Sequence, residues 1–225
     1  MERRSALVVG ATGLIGKELV KLLLEDTSYD FVEVWVRKPI EIQHSKLHQK
    51  IINFDELSVQ AINRTYHDVF CCLGTTIKKA KTKEQFKKVD LEYPVELAKL
   101  VKQHGVEHYL VISAIGADAS SSIFYNQVKG KLEGTLQSLN LPRLSIFRPS
   151  ILMGNREEFR LGERLGISVV SFLKFALVGK LKRYRGIYGK EVAKGMVVTA
   201  LSEATSPVWI YESEEIQQLA NREEL

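Results

Sequence analysis

The segment Leu7-Val8-Val9-Gly10-Ala11-Thr12-Gly13-Leu14-Ile15-Gly16 constrains this chain more than any other. A short apolar run meets glycines at 10, 13 and 16, and an amphipathic stretch follows at once. That is the strand–turn–helix order in which a glycine pattern acquires structural meaning. Gly10 permits a tight turn, Gly13 keeps side chains away from an approaching anion, and Gly16 lets the helix pack close to the strand. The N–H groups at the helix start, around Leu14 and Ile15, lack intrahelical partners, and the helix dipole favours negative charge beside them. With Thr12 in the turn, residues 10–16 read as a cradle for the pyrophosphate of a dinucleotide.

Beyond the turn, short apolar runs alternate with amphipathic ones, the pattern of a parallel sheet covered on both faces. Strands are expected at Ala6–Val9, Phe31–Val36, Lys50–Ile52 (weakly), Asp68–Leu73, Tyr109–Ile112, Leu144–Phe147 and Val208–Tyr211. Helices are expected at Leu14–Glu25, from Thr82 to about Gly105, at about Ser122–Leu139, Lys190–Leu201 and Ser213–Leu219, with a further apolar, helix-like stretch at Phe159–Val178. The fold class is α/β, a Rossmann-type doubly wound sheet. The 225 residues suit one domain, with the part from about Ser150 onward as a small elaboration on the substrate side.

Two positions after strand two bear on the cofactor. An acidic residue there would bind the ribose hydroxyls of NAD(H). The sequence has Arg37-Lys38 instead, and Arg37 stands 21 residues past Gly16. A guanidinium at that place pairs with a 2′-phosphate, which favours NADP(H) over NAD(H).

Composition excludes several other classes. The net charge of +5 sits partly in short lysine runs, Lys78-Lys79-Ala80-Lys81 and Lys180-Leu181-Lys182-Arg183. No base-stacking aromatics interleave them, so solvated loops are expected and no nucleic-acid partner. No apolar run reaches the length of a membrane span. The two cysteines, Cys71 and Cys72, are adjacent, which disfavours a disulfide between them. Neither they nor the scattered histidines form a metal-ligand spacing, and no metal is expected. His44, His48, His67, His104 and His108 are assigned to surface or strand-edge positions. Reduced thiols and the absence of an export signal lead to a cytoplasmic expectation.

A second constellation carries chemistry. Tyr125 and Lys129 lie four apart on an expected helix and share a face. Ser113 ends strand five, at the sheet edge that borders the ligand crevice in this fold class. A free phenol is a poor base at neutral pH, and a nearby ammonium favours its ionised form. Tyr125 is then the candidate acid/base, Lys129 its electrostatic support and ribose anchor, and Ser113 the hydrogen-bond partner of a substrate oxygen.

The turn Gly10–Gly16, the serine before Ala114-Ile115-Gly116-Ala117-Asp118, and Tyr125-Asn126-Gln127-Val128-Lys129-Gly130 resemble the atypical short-chain dehydrogenases/reductases. Within them the chain is similar to the Tat-interacting, metastasis-suppressor-like group and its bacterial relatives, over nearly its whole length. The resemblance implies further cofactor contacts. These are Asn53 and Phe54 on the adenine side, Leu73, Gly74 and Thr75 in the loop after strand four, and Arg148, Pro149 and Ser150 beside the nicotinamide. It also implies an asparagine relay on the helix after strand four; Asp90 stands nearest here and is not equivalent.

These readings lead to an NADP(H)-dependent oxidoreductase acting on a small carbonyl or alcohol. A non-catalytic NADP(H)-sensing module that engages a protein partner is a competing expectation, as is a sugar-nucleotide-type epimerase. A protein partner or a homodimer fits either. The stretch Ile167–Val178 is assigned to a lid or core helix over the substrate pocket.

Overall fold

The structure is a computed structural model that describes residues 3–60, 62–153, 185–203 and 206–222. Seven strands form one sheet: β1 (Arg4–Val9), β2 (Tyr29–Val36), β3 (Leu47–Ile51), β4 (Asp68–Cys71), β5 (His108–Ile112), β6 (Leu144–Arg148) and, near the end of the chain, β9 (Val208–Glu212). Their spatial order is β3-β2-β1-β4-β5-β6-β9, and every neighbouring pair is parallel. A separate two-stranded parallel pair joins β7 (Leu152–Met153) to β8 (Ile187–Tyr188).

Helices cover both faces. They are α1 (Leu14–Glu25), α2 (Ile77–Ala80), α3 (Lys83–Lys87), α4 (Tyr93–Gln103), α5 (Phe124–Ser138), α6 (Gly189–Leu201) and α7 (Ser213–Ala220). One face of the sheet packs Ala6, Val8, Val34 and Phe70 against Leu19 and Leu23 of α1, Val192 and Met196 of α6 and Ile216 of α7. The other packs Leu7, Val9, Val69 and Val111 against Leu97 and Val101 of α4 and Leu132 and Leu136 of α5. All of β5 is buried, as is all of β4, which is why these central strands read as unbroken apolar runs. β3 lies at one edge, with most of its residues exposed or half-exposed, and its sequence signal is correspondingly weak.

The expected single helix from Thr82 to about Gly105 is three segments in direct succession. α3 runs into a π-helical turn, Lys88–Glu92, and then into α4. The π turn carries one buried residue, Asp90. Pro94 lies in the first turn of α4, directly after the π turn, and because the chain before it is already helical its missing N–H takes one bond out of the ladder. Lys78–Ala80, expected as loop, belongs to the short helix α2, capped by the Thr76 hydroxyl, which accepts from Lys79 N–H. The stretch Phe159–Val178, with its lid assignment at Ile167–Val178, and the run Lys180–Arg183 lie outside the described residues.

His108 corrects its surface or strand-edge assignment. It is 1% exposed, within β5. At the amino-terminal end of the sheet, Asp68 accepts hydrogen bonds from Arg4 Nε (2.8 Å), Arg4 Nη2 (3.0 Å) and Tyr29 Oη (2.7 Å). His108 Nδ1 stands 3.6 Å from Asp68 Oδ1, too far for a hydrogen bond, while its Nε2 lies 2.9 Å from Ser145 Oγ. This cluster ties β1, β2, β4, β5 and β6 together at the end opposite the glycine turn.

Candidate functional site

Strand order reverses between β1 and β4, the switch point at which such sheets bind ligands outside their carboxyl ends. Gly10, at φ +88°, leaves β1 there. A Cβ on Gly10 would lie 2.5 Å from the Cys72 carbonyl oxygen, and one on Gly16 2.2 Å from the Gly10 carbonyl oxygen. Both contacts are with backbone, so the turn is packed against itself and against the loop after β4. Thr12 and Gly13 are exposed, Leu14 half-buried, and Ile15 and Gly16 buried. Gly13 is the N-cap of α1, and no side chain caps it. The helix start therefore offers its backbone N–H groups to an anion, and the cradle fits the diphosphate of a dinucleotide. Gly189, the first residue of α6, packs against Leu14, so α6 starts beside the same crevice.

The close approach at Gly16 sets an expected outcome. Gly16→Ala should lower stability by about 1–3 kcal/mol, the usual scale for overpacking, and weaken dinucleotide binding because α1 must shift off the turn. Urea unfolding and a nucleotide titration of the variant check both.

Lys129 is almost fully buried. Its Nζ lies 2.8 Å from Asp90 Oδ1 and donates to the Ile112 carbonyl at 3.4 Å. Burial alone would lower the Lys129 pKa, but Asp90, with a smaller contribution from Tyr125, outweighs it and raises the ammonium above its usual value. The second Asp90 oxygen accepts the Thr75 N–H at 2.8 Å. The loop Leu73-Gly74-Thr75 is thus pinned to Lys129 through Asp90. Tyr125, one turn before Lys129, is half-buried. Its ring packs on Phe86 of α3 at 5.6 Å between centroids. Its hydroxyl makes no hydrogen bond to another described residue.

Ser113 follows β5 and is 3% exposed. Its hydroxyl donates to Glu133 Oε1 at 2.5 Å. Glu133, four residues beyond Lys129, is held in turn by Arg148 through Nε (3.0 Å) and Nη2 (2.5 Å), and Arg148 Nη1 reaches Glu212 at 3.0 Å. The Arg148 guanidinium is therefore engaged with two carboxylates. Ser150 donates to the Arg185 carbonyl and takes a bond from Ser213 Oγ at 3.0 Å, and the Pro149 carbonyl accepts from Ile115 N–H at 3.1 Å. All three residues at the end of β6 are bound into the protein's own framework.

On the other side of the turn, Arg37 and Lys38 are exposed at the end of β2. Asn53 caps a 3₁₀ turn over Phe54–Val59 by accepting from Asp55 N–H. Phe54 packs on Tyr93 at 5.7 Å. Tyr93 donates to Asp55, and Lys88 pairs with the same carboxylate at 2.7 Å.

Sequence reasoning missed Asp90 as a lysine partner and Glu133 altogether. Glu133 had a signal: the spacing Tyr125, Lys129, Glu133 keeps all three on one helix face. A cavity of about 280 Å³ is lined by Met153, Arg185, Gly186, Tyr188, Glu191 and Gln217, and the Arg185 carbonyl accepts from Ser150. Among the described residues no cluster of metal-ligating side chains is present, and no helix is long and apolar enough to cross a membrane.

A family model described as NAD(P)H-binding matches residues 10–140. Protein HTATIP2 of Rattus norvegicus is 38% identical over 169 residues, 73% of this chain and 69% of that protein. Protein FMP52, mitochondrial, of Eremothecium gossypii is 35% identical over 222 residues, 97% of this chain and 98% of its own length. Among solved structures, MoeE5 in complex with UDP-glucose and NAD superposes with a TM-score of 0.67 at 15% identity, over 96% of this chain and 80% of that one. Human epimerase family protein SDR39U1 with NADPH gives 0.62 at 15%, over 92% and 74%. These two share the fold.

The relatives overturn the cytoplasmic expectation, because several fungal proteins that match most of the chain are named as mitochondrial. The cysteine argument could not separate the two locations. Free thiols report the redox state of a compartment and not which reducing compartment it is.

The uncapped glycine turn at the switch point, the parallel sheet and relatives matching almost end to end lead to one conclusion: the chain belongs to the NAD(P)H-binding family, on its atypical short-chain dehydrogenase/reductase branch.

Proposed function

We propose that this protein is an NADP(H)-dependent oxidoreductase acting on a small carbonyl or alcohol. One observation carries the reading. Tyr125, whose hydroxyl has no hydrogen-bond partner among the described residues, stands one helical turn from a buried, charged Lys129, at the sheet edge where the uncapped start of α1 also lies. Bound NADP(H) would supply or accept the hydride. The turn Gly10, Thr12, Gly13, Leu14, Ile15 and Gly16 would hold its diphosphate. Arg37 and Lys38, with no acidic residue beside them, favour the 2′-phosphate of NADP(H), and Asn53 and Phe54 would flank the adenine. Leu73, Gly74 and Thr75 would border the nicotinamide half, with Arg148, Pro149 and Ser150 shaping the pocket wall behind it.

Tyr125 exchanges a proton with the substrate oxygen. Lys129 supports the charge on Tyr125 and anchors a ribose hydroxyl. Ser113 contacts the same oxygen, and its proton must leave Glu133 if it is to donate there. In a screen of carbonyl compounds that follows NADPH consumption, Tyr125→Phe should lower turnover by about 10²–10⁴-fold, the usual worth of general acid–base catalysis, with NADPH affinity retained. Activity that survives in the variant contradicts the assignment. For the cofactor preference, Arg37→Ala should weaken NADPH binding and leave NADH binding unchanged; an equal loss for both removes the phosphate argument.

A second reading draws on the same geometry. The Ser113 proton is taken by Glu133 and Lys129 is paired with Asp90, so two of the three proposed groups are engaged inside the protein. This favours a cofactor-sensing interaction module. Tight NADPH binding with no turnover across the screen, and a partner captured only with cofactor present, would support it.

A further inference from the structure

The chain's net charge is +5, and the segment 77–88 alone carries six lysines against one glutamate. The excess in that segment equals the excess of the whole chain, so acidic and basic residues elsewhere are equal in number. Lysines gathered so closely repel one another within a Debye length of about 8–10 Å.

The segment is held down firmly. Ala80 of α2, Phe86 of α3 and Val128 of α5 form a small core of their own, with Phe124 and Tyr125 packed against it. Phe86 is fully buried and sits 5.6 Å from both the Phe124 and the Tyr125 rings. Lys83 Nζ stands over the Phe124 ring at 5.2 Å and Lys87 Nζ at 6.0 Å, within the range of cation–π attraction. Lys78, Lys81, Lys83 and Lys87 have no carboxylate partner among the described residues. Two unneutralised ammonium groups are thus fixed on the aromatic residue next to Tyr125.

We propose that the Lys83/Lys87 face of α3 recognises an anionic group, a carboxylate or a phosphate, on the molecule that reacts at Tyr125. The inference rests on the oxidoreductase reading for its location and adds the substrate class to it. The cofactor's own phosphates are served elsewhere, by the uncapped start of α1 and by Arg37 and Lys38 at the end of β2. A nucleic-acid track would need exposed aromatic rings interleaved with the lysines, and the aromatic residue within the segment, Phe86, is buried. A cationic rim at a site mouth raises the encounter rate of anions and lengthens their stay.

The test compares terephthalaldehydic acid with its methyl ester, two aldehydes that differ by one charge. Each is titrated calorimetrically into the full-length protein saturated with NADP+, which carries no hydride to transfer to the aldehyde. The acid should bind about three- to tenfold more tightly, the scale that two exposed charge pairs supply, and the preference should disappear in about 1 M salt. In Lys83→Gln/Lys87→Gln the preference should vanish while NADPH affinity holds. Equal affinity for the two compounds, no binding of either, or a preference that survives in the double variant overturns the proposal. Weakened NADPH binding in the variant overturns it as well, by assigning the charges to the cofactor.

Ile77 of α2 and Ile123, the residue before Phe124, are exposed, so vesicles containing phosphatidylserine form a further arm. Sedimentation of the protein with them, without a preference for the acid, reassigns the face to a lipid surface and overturns the proposal. Turnover is read separately. A binding preference with no NADPH consumed supports the anion site and sinks the oxidoreductase reading. Turnover of both aldehydes without a preference does the reverse.

Discussion

Replacing Asp68 with alanine is expected to lower the unfolding free energy by about 3–5 kcal/mol, the scale for removing one partner of a buried, hydrogen-bonded ion pair. Asp68 is fully buried and accepts three hydrogen bonds from Arg4 and Tyr29. The Arg4 side chain keeps 25% exposure and regains some water in the variant. The Tyr29 hydroxyl is buried and does not, which leaves an unsatisfied donor. The pH dependence follows the same groups. Burial alone would raise the Asp68 pKa, but His108, Arg4 and Tyr29 together hold it below the usual carboxylate range. Its stabilisation is present above the unfolded carboxylate pKa and is lost as pH falls through the folded value. For His108, burial outweighs the pull of Asp68 and lowers the pKa. It folds neutral, and stability begins to fall as pH drops below about 6.5, its unfolded value. Both groups make the wild type weaker in acid. Urea unfolding at neutral pH, at mildly acidic pH for His108 and below the ordinary carboxylate pKa for Asp68 checks the size and the sign, and a loss well under 1 kcal/mol in Asp68→Ala at neutral pH contradicts the clamp.

The second large effect is expected at Asp90. Asp90→Asn leaves the Lys129 ammonium buried without a counter-charge, and a loss of about 3–5 kcal/mol is expected. The pH signature distinguishes this from ordinary destabilisation. In the wild type the Lys129 pKa is raised, so its contribution is full below the unfolded lysine value and is lost as pH climbs through the folded one. In the variant the largest opposing contribution is gone, and burial should depress the pKa. The unfolded chain then binds the extra proton, and stability should rise between neutral pH and about pH 10. The two curves therefore slope in opposite directions at the alkaline end. Parallel curves contradict a charged Lys129 held by Asp90. NADPH affinity should fall as well, because an asparagine can still accept from Thr75 N–H or face Lys129 with its carbonyl oxygen but supplies no charge to fix the lysine.

Much of the frame was legible because parallel strands buried on both faces leave continuous apolar runs. Leu7-Val8-Val9 and Tyr109-Leu110-Val111-Ile112 could hardly be anything else. The span Leu14–Glu25 matches α1 residue for residue, since glycines bound it on one side and an apolar stripe runs through it. The pair β7–β8 was illegible, because two residues per strand carry no period. The π turn at Lys88–Glu92 was hidden inside a helical pattern, because one extra residue in a turn shifts the stripe without breaking it.

In the site, local spacing was readable and long-range pairing was not. Tyr125 and Lys129 declare themselves by a separation of four. The partners Asp90 and Arg148 come from other elements, and nothing in their own neighbourhoods says which side chain they will meet. His108 went astray for a related reason. A histidine at the start of a strand looks exposed until Asp68 and Ser145, from the two flanking strands, close around it.

The central claim is that the bare start of α1 grips a dinucleotide diphosphate. The most direct measurement is a nuclear magnetic resonance titration of nitrogen-labelled protein with NADPH, following each backbone amide. The amides of Leu14 and Ile15 should move together with the largest shifts and saturate at one equivalent, and that of Gly13, which already donates to the Gly10 carbonyl at 3.0 Å, should move less. Signals from the turn that stay in place at saturating NADPH would contradict it.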